Sequence, residues 1–269
     1  MWNIIFLLIA CSSEQKTLRA EKALAEHDLA QAESLFREAV TSNPKNINAL
    51  VGLGWTYQLA GEKSAAEKVF ERCLRIENKH PDCLRGRASV AMSQADTAKA
   101  KSLIEEAYAH HPDHPGVISS LALFRLQEGN MYRAKELYAS LCRRFPEQAE
   151  YLLGLGEAEL RLQNPEETVS ITAKALALPN TPVRYQSMLW TLRVRALIVA
   201  SAGRENSEDC TNTAPAVQVW IEQAQDALKK VEEIGVLLPD FPALQRQVLR
   251  RSAIFEEICP PRKWKEHIE

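Results

Sequence analysis

Cysteine, histidine and carboxylate side chains are the groups in this chain that could bind metal, exchange disulfides or move protons. The cysteines are Cys11, Cys73, Cys83, Cys142, Cys210 and Cys259. No two of them make a C-x-x-C pair, which excludes zinc ribbons and thioredoxin-like redox motifs. The run HHPDHP brings together His110, His111, Asp113 and His114, a donor set that can bind a metal. Close spacing alone does not build a tetrahedral site, and the run falls where the chain needs a polar, proline-rich turn. No metal is expected there. None of G-x-S-x-G, H-E-x-x-H, Walker A or G-x-G-x-x-G occurs. The carboxylates lie in helix-forming stretches, where they serve as solvated faces. No catalytic residue, cofactor or small-molecule substrate is expected, and the chain reads as a protein that is not an enzyme.

The elements that would carry these residues are helices. Glycine is scarce, at 10 residues, and aromatics make up 7 %, against abundant Ala, Leu, Glu, Lys and Arg. No stretch alternates apolar and polar over a strand's length, so the fold class is all-α. Basic and acidic residues number 33 and 35, a net charge of −2, which gives no field to steer nucleic acid. No window of 18 apolar residues exists to span a bilayer.

Residues 1–11, MWNIIFLLIAC, differ in character from the rest of the chain. The apolar run Ile4 to Ala10 has the length of a signal h-region and stops abruptly at Cys11, with Ser12-Ser13 after it. Leu8-Ile9-Ala10-Cys11 resembles a bacterial lipobox, although no Lys or Arg precedes it. The resemblance implies a signal peptide over residues 1–10 and a lipidated Cys11 that carries acyl chains such as palmitate. Ser12 resembles the residue found after that cysteine in lipoproteins sent to the outer membrane, facing the periplasm. The alternative is an uncleaved apolar segment packed on the first helix.

Residues 47–80 organise the rest. Leu50, Leu53, Gly54 and Tyr57 share one helical face, Ala66, Phe70 and Cys73 share another, and Ala60-Gly61 breaks the two. Small Gly54 and Ala66 let the helices approach closely. This order resembles a tetratricopeptide (TPR) repeat, W-x₂-L-G-x₂-Y…A-x₃-F…P, with Leu50 in the Trp slot and Asn78 in the Pro slot. The pattern recurs without a gap over 13–46, 47–80, 81–114, 115–148 and 149–182. Pro44, Pro112 and Pro146 end the second helices of their units, because the residue before a proline avoids the helical conformation. After Pro182 the register loosens. Residues 183–236 read as a sixth unit with a polar inserted loop at 203–215, residues 240–258 as a capping helix, and residues 259–269 as a tail. The resemblance implies a right-handed α-α superhelix over 11–239.

That arrangement sets Cys73, late in one unit, beside Cys83, early in the next. It also sets Cys210, in the loop, near Cys259 after the cap. Each pair is a candidate disulfide in an exporting compartment, or two buried thiols otherwise. Cys142 has no partner.

In TPR proteins the first helices line a concave groove. By that resemblance the groove positions include Asn48, Val51, Trp55 and Gln58 in the second unit, then Arg85, Ser89 and Met92 in the third. Leu123 and Gln127 follow in the fourth unit, Glu157 and Arg161 in the fifth, and Thr191 and Arg195 in the sixth. Trp55 is either an exposed anchor or packing between neighbouring first helices. Thr17 and Glu21 stand where chaperone-binding TPR domains need Lys and Asn, so chaperone tails do not fit. The expected partner is another protein, as a peptide or helix in the groove, and the membrane is reached through the lipid anchor. The whole resembles TPR lipoproteins that help pilus secretins assemble. Accessories of outer-membrane protein insertion and adaptors of peptidoglycan enzymes are alternative readings.

Overall fold

A computed structural model describes residues 2–202 and 210–260, with side chains for all of these except 2–11, 211 and 212. Among the described residues every element is a helix, α1 (Trp2–Ala25), α2 (Leu29–Ser42), α3 (Ile47–Leu59), α4 (Lys63–Ile76), α5 (Pro81–Ser93), α6 (Thr97–His110), α7 (Pro115–Gln127), α8 (Met131–Arg144), α9 (Ala149–Arg161), α10 (Pro165–Leu176), α11 (Val183–Ser201), α12 (Cys210–Ile234) and α13 (Phe241–Ile258). The chain divides into two compact units, Met1–Phe124 and Arg125–Glu269.

Within the first unit α1 to α6 pack in succession, α1 on α2 through α5 on α6, and α3 also lies against α1 and α5. Within the second, α8 to α13 do the same, and α11 also touches α9 and α13. This is the contact pattern of stacked helical hairpins, in which each pair buries its apolar face only by meeting a neighbour.

The turns inside the hairpins explain how so short a break suffices. His27, Gly61, Ala95, Gly129 and Gln163 all have positive φ, between 61° and 82°, and they recur every 34 residues. The residue after each opens the next helix. Asp28, Asp96 and Asn130 accept hydrogen bonds from the backbone N–H groups of Gln31, Lys99 and Arg133, satisfying a donor that the helix leaves unpaired. Asn46 does the same for α3 through Ala49 N–H.

Packing between hairpins depends on a ring set under a glycine. Phe70 of α4 is fully buried. A Cβ at Gly54 would stand 2.6 Å from its ring, and one at Gly86 of the following hairpin 2.3 Å. Phe36 meets Gly52, and Tyr138 meets Gly154, in the same way. Gly52, Gly86 and Gly154 share one repeat position, so the missing side chains admit the previous hairpin's aromatic ring.

One expected boundary moves. Residues 210–215 belong to α12 rather than to a loop, with Pro215 inside the helix. Cys210, Ala214, Val217 and Ile221, spaced by four, three and four, make a stripe that buries itself with Phe255 and Cys259 of the C-terminal segment. Residues 203–209 of that expected loop, and 261–269 of the tail, lie outside the described residues. α13 packs on α12 and α11. No described helix is long and apolar enough to cross a membrane.

Candidate functional site

The first unit's row of groove positions begins on α3. Asn48 is exposed, and Val51 is half-buried against the core built from α1 to α5. Asn48 borders a cleft of about 440 Å³ with Glu14, Thr17, Leu18, Glu21, Asn43 and Asn46. Thr17 is not free to bind a partner there. It is buried, its hydroxyl donates to the Ser13 carbonyl at 2.9 Å, and it accepts from Asn46 Nδ2 at 3.2 Å.

Trp55 is half-buried and serves as packing rather than as a bare anchor. Its ring meets Phe70 edge-on, with centroids 5.6 Å apart at 71°. The guanidinium of Arg85 lies over the Trp55 ring, 4.7 Å from the centroid. Such a cation over an indole is worth about 0.5–2 kcal/mol, more as water is excluded. Arg85 is held in turn by Asp82, Nε to Oδ1 at 2.6 Å. The groove face at α3 and α5 is therefore a covered tryptophan with a charge on top.

Beside it, Gln58 Nε2 donates to the carbonyl and hydroxyl of Ser89, both at 3.4 Å. These two expected groove residues thus bond across neighbouring first helices. Met92 is half-buried and Leu123 is 46 % exposed. Among the described residues, Trp55 Nε1 and Gln58 Oε1 are buried polar atoms with no hydrogen-bond partner. A buried unpaired donor or acceptor costs about 1–3 kcal/mol, so this face is left with one of each to satisfy.

In the second unit the row is ionic. Glu157 accepts from Arg161 Nε at 3.1 Å and from Arg195 Nη1 at 3.0 Å. Arg161 also donates to the Leu126 carbonyl at 3.0 Å, and Gln127 is exposed. Both arginine side chains stay about two-fifths exposed, at 41 % and 39 %. Thr191 is only 4 % exposed, and it leaves the set of available groove residues. Its helix α11 has α9 and α13 packed beside it.

The histidine run does not converge. His111 Nε2 lies 2.8 Å from the Lys79 carbonyl, and His110 is exposed. His114 approaches Asp82, Nε2 to Oδ2 at 3.8 Å. Its burial, joined by Arg85 nearby, holds its pKa below the usual histidine value despite Asp82. The potential ligands that do meet, among the described residues, are Cys73, His80 and Cys83. His80 escaped the sequence reading. The signal for it was its place three residues before Cys83, one turn away at the start of a helix.

Cys73 and Cys83 are joined by a disulfide, with Cα atoms 6.2 Å apart, and so are Cys210 and Cys259, at 5.5 Å. Cys142 is free. The side chain of Cys11 lies outside the described residues.

Comparison with known proteins gives a consistent picture. The tetratricopeptide repeat family matches residues 23–90 and 91–155. A DnaJ homolog subfamily C member 7 homolog of Schizosaccharomyces pombe is 26 % identical over 238 residues, 87 % of this chain and 40 % of its own length. Cellulose synthase operon protein C of Pseudomonas fluorescens is 23 % identical over 219 residues, 78 % of this chain and 17 % of its own. The chain thus spans less than half the length of either curated relative. Among solved structures, the APC/C hetero-tetramer Cut9-Hcn1 superposes with a TM-score of 0.66 at 13 % identity, over 92 % of this chain and 46 % of that one. Pseudomonas aeruginosa PilF gives 0.54 at 14 %, covering 88 % and 97 %. PilW, described as a type IV pilus biogenesis factor, gives 0.54 at 17 %, covering 80 % and 98 %. At these identities the structures speak for the fold.

Proposed function

We propose, for a chain that belongs to the tetratricopeptide repeat family through residues 23–155, that the repeats act as a scaffold tethered to a membrane, holding a segment of a partner protein along the first helices. The observation that carries this reading is the α3–α5 face. Arg85 covers Trp55 there, and the Trp55 Nε1 donor and Gln58 Oε1 acceptor lack partners. An extended peptide presents one carbonyl and one N–H per residue, the complement of that pair. An acidic side chain would draw Arg85 aside and open the indole.

The tether is Cys11. Its support is the apolar run Ile4 to Ala10 ending at a cysteine and two serines. In this reading the protein sits on the periplasmic side of an outer membrane and works in envelope assembly of the type IV pilus or secretin kind. The similarity to PilF and PilW, which covers nearly the whole of each, supports that choice of pathway.

Two experiments test the proposal. A photoreactive residue at exposed Asn48 or Leu123 should crosslink a defined partner in cells, whereas one at Glu106 on α6 should not. The crosslink should vanish in Arg85→Glu. Capture that is the same from all three positions, or that survives Arg85→Glu, overturns the groove reading. Labelled palmitate should enter the wild type and not Cys11→Ser, and incorporation into the variant removes the tether.

A further inference from the structure

We propose that, once its disulfide is reduced, the chain binds one zinc-class divalent cation through the Sγ atoms of Cys73 and Cys83 and the Nδ1 atom of His80. The ligand atoms of these three residues all lie within 4.8 Å of one another. A structural disulfide needs two of them, and the third has no part in it. His80 Nδ1 is 3.6 Å from Cys83 Sγ. The backbone fixes that approach, because His80 caps α5, Pro81 follows it, and Cys83 N–H donates to the His80 carbonyl at 3.2 Å.

The donors suit the ion. Two thiolates and an imidazole form a soft-to-borderline set that favours zinc-class ions over magnesium or calcium. Cys83 lies in the first turn of α5, where the positive end of the helix dipole favours a thiolate. Both cysteines are fully buried, so the sulfurs do not share their positions with water. His80 is half-exposed, and its side leaves room for a water as fourth ligand.

The chemistry balances in two steps. A phosphine reductant and a water convert the disulfide to two thiols and a phosphine oxide. A dication then displaces the two thiol protons, leaving two metal–sulfur bonds and one metal–nitrogen bond. Zinc–sulfur bonds of about 2.3 Å at a tetrahedral angle hold the sulfurs about 3.8 Å apart. The Cα atoms, 6.2 Å apart, can stay in place while the side chains turn. The same two sulfurs serve both states, so oxidation and metal binding exclude each other. This holds whatever compartment the chain occupies and does not depend on a partner in the groove.

The test uses the full chain with Cys11, Cys142, Cys210 and Cys259 changed to Ser, so that only Cys73 and Cys83 remain as thiols. Zinc(II) is titrated against a chromophoric chelator before and after phosphine reduction, and cobalt(II) serves as the spectroscopic probe. One zinc per reduced chain and none per oxidised chain is the expected result, with a thiolate-to-cobalt charge-transfer band. His80→Ala should weaken binding at least tenfold while leaving disulfide formation intact. Equal zinc uptake by both redox states, no charge-transfer band, or unchanged affinity in His80→Ala overturns the proposal. If the four-serine background fails to fold, the reduced wild type is compared with its His80→Ala variant by the same titration. Identical affinity and stoichiometry there also overturn it.

Discussion

Changing Gly86 to Ala tests the packing rule directly. The added methyl would lie 2.3 Å from Cε1 of Phe70 and 2.4 Å from Cζ. Carbon atoms in contact rest about 3.5–4.0 Å apart, so ring or helix must give way by more than about 1 Å. The ring has nowhere to go. Phe70 is fully buried, Gly54 presses from its own hairpin, and Trp55 stands edge-on at 5.6 Å. Overpacking of this kind costs about 1–3 kcal/mol, and a blocked ring belongs at the upper end. Alanine recovers about 1 kcal/mol in helix propensity. The net expectation is a loss of about 2 kcal/mol, or about 4–8 °C in melting temperature for a chain of this size. Urea and thermal melts followed by far-UV circular dichroism would show it, read as midpoint shifts because repeat arrays need not unfold in one step. Phe70→Leu in the same background should recover part of the loss, giving a coupling of at least about 1 kcal/mol in a double-mutant cycle. A Gly86→Ala protein as stable as the wild type, or an additive cycle, would refute the reasoning.

Ala95 holds φ at 61° in an exposed turn, where an L side chain is strained by about 1–2 kcal/mol and glycine loses about 0.5–1 kcal/mol in chain entropy. Ala95→Gly is therefore expected to raise stability by about 0.5 kcal/mol, and a lower urea midpoint would contradict this. Cys259→Ser opens a loop that spans 49 residues, worth up to about 4 kcal/mol by loop entropy. Hydrogen exchange should show protection falling on α12 and α13 while α2 to α6 keep theirs, and uniform change would count against it. Burial pushes the Cys142 thiol up to about 11 from 9.0, against the pull of Arg143. A raised thiol pKa favours the neutral form, so its contribution to stability is intact below pH 9 and is lost as pH rises through 11. At pH 8 iodoacetamide should label Cys142 about 100-fold more slowly than a free cysteine, by peptide mass spectrometry. A rate like that of the unfolded chain would refute it.

The hairpin repeat was legible because its signals are local. Leu50, Leu53 and Tyr57, or Ala66, Phe70 and Cys73, fall on one face by spacing alone. The aromatic slot and the glycine slot were also visible, but not that Phe70 is shared between Gly54 and Gly86, since that needs the next hairpin's position. The start of α12 was hidden by polar Thr211, Asn212 and Thr213 and by Pro215. The stripe Cys210, Ala214, Val217 and Ile221 ran beneath them. Repeat register placed Trp55 on the groove side and could not say what lies over it. Arg85 comes from the following hairpin, and a long, flexible side chain is aimed by its partner, here Asp82, rather than by its own position. His80 was missed because a capping residue before a proline reads as a turn.

The bond between Cys210 and Cys259 also changes how the chain would behave as a strap under load. The pair matters whenever a load acts across it, from the helices before Cys210 to the residues after Cys259. With the bond intact, a pull across the pair passes from Cys210 to Cys259 through sulfur, and the stretch between them, a sequence separation of 49, never unreels. At about 3.3–3.6 Å per extended residue, that stretch withholds about 160–175 Å of reach. Reduction leaves only the packing among α11, α12 and α13 to resist that extension, so the redox state of this one pair sets how far the chain can be drawn once those helices give way.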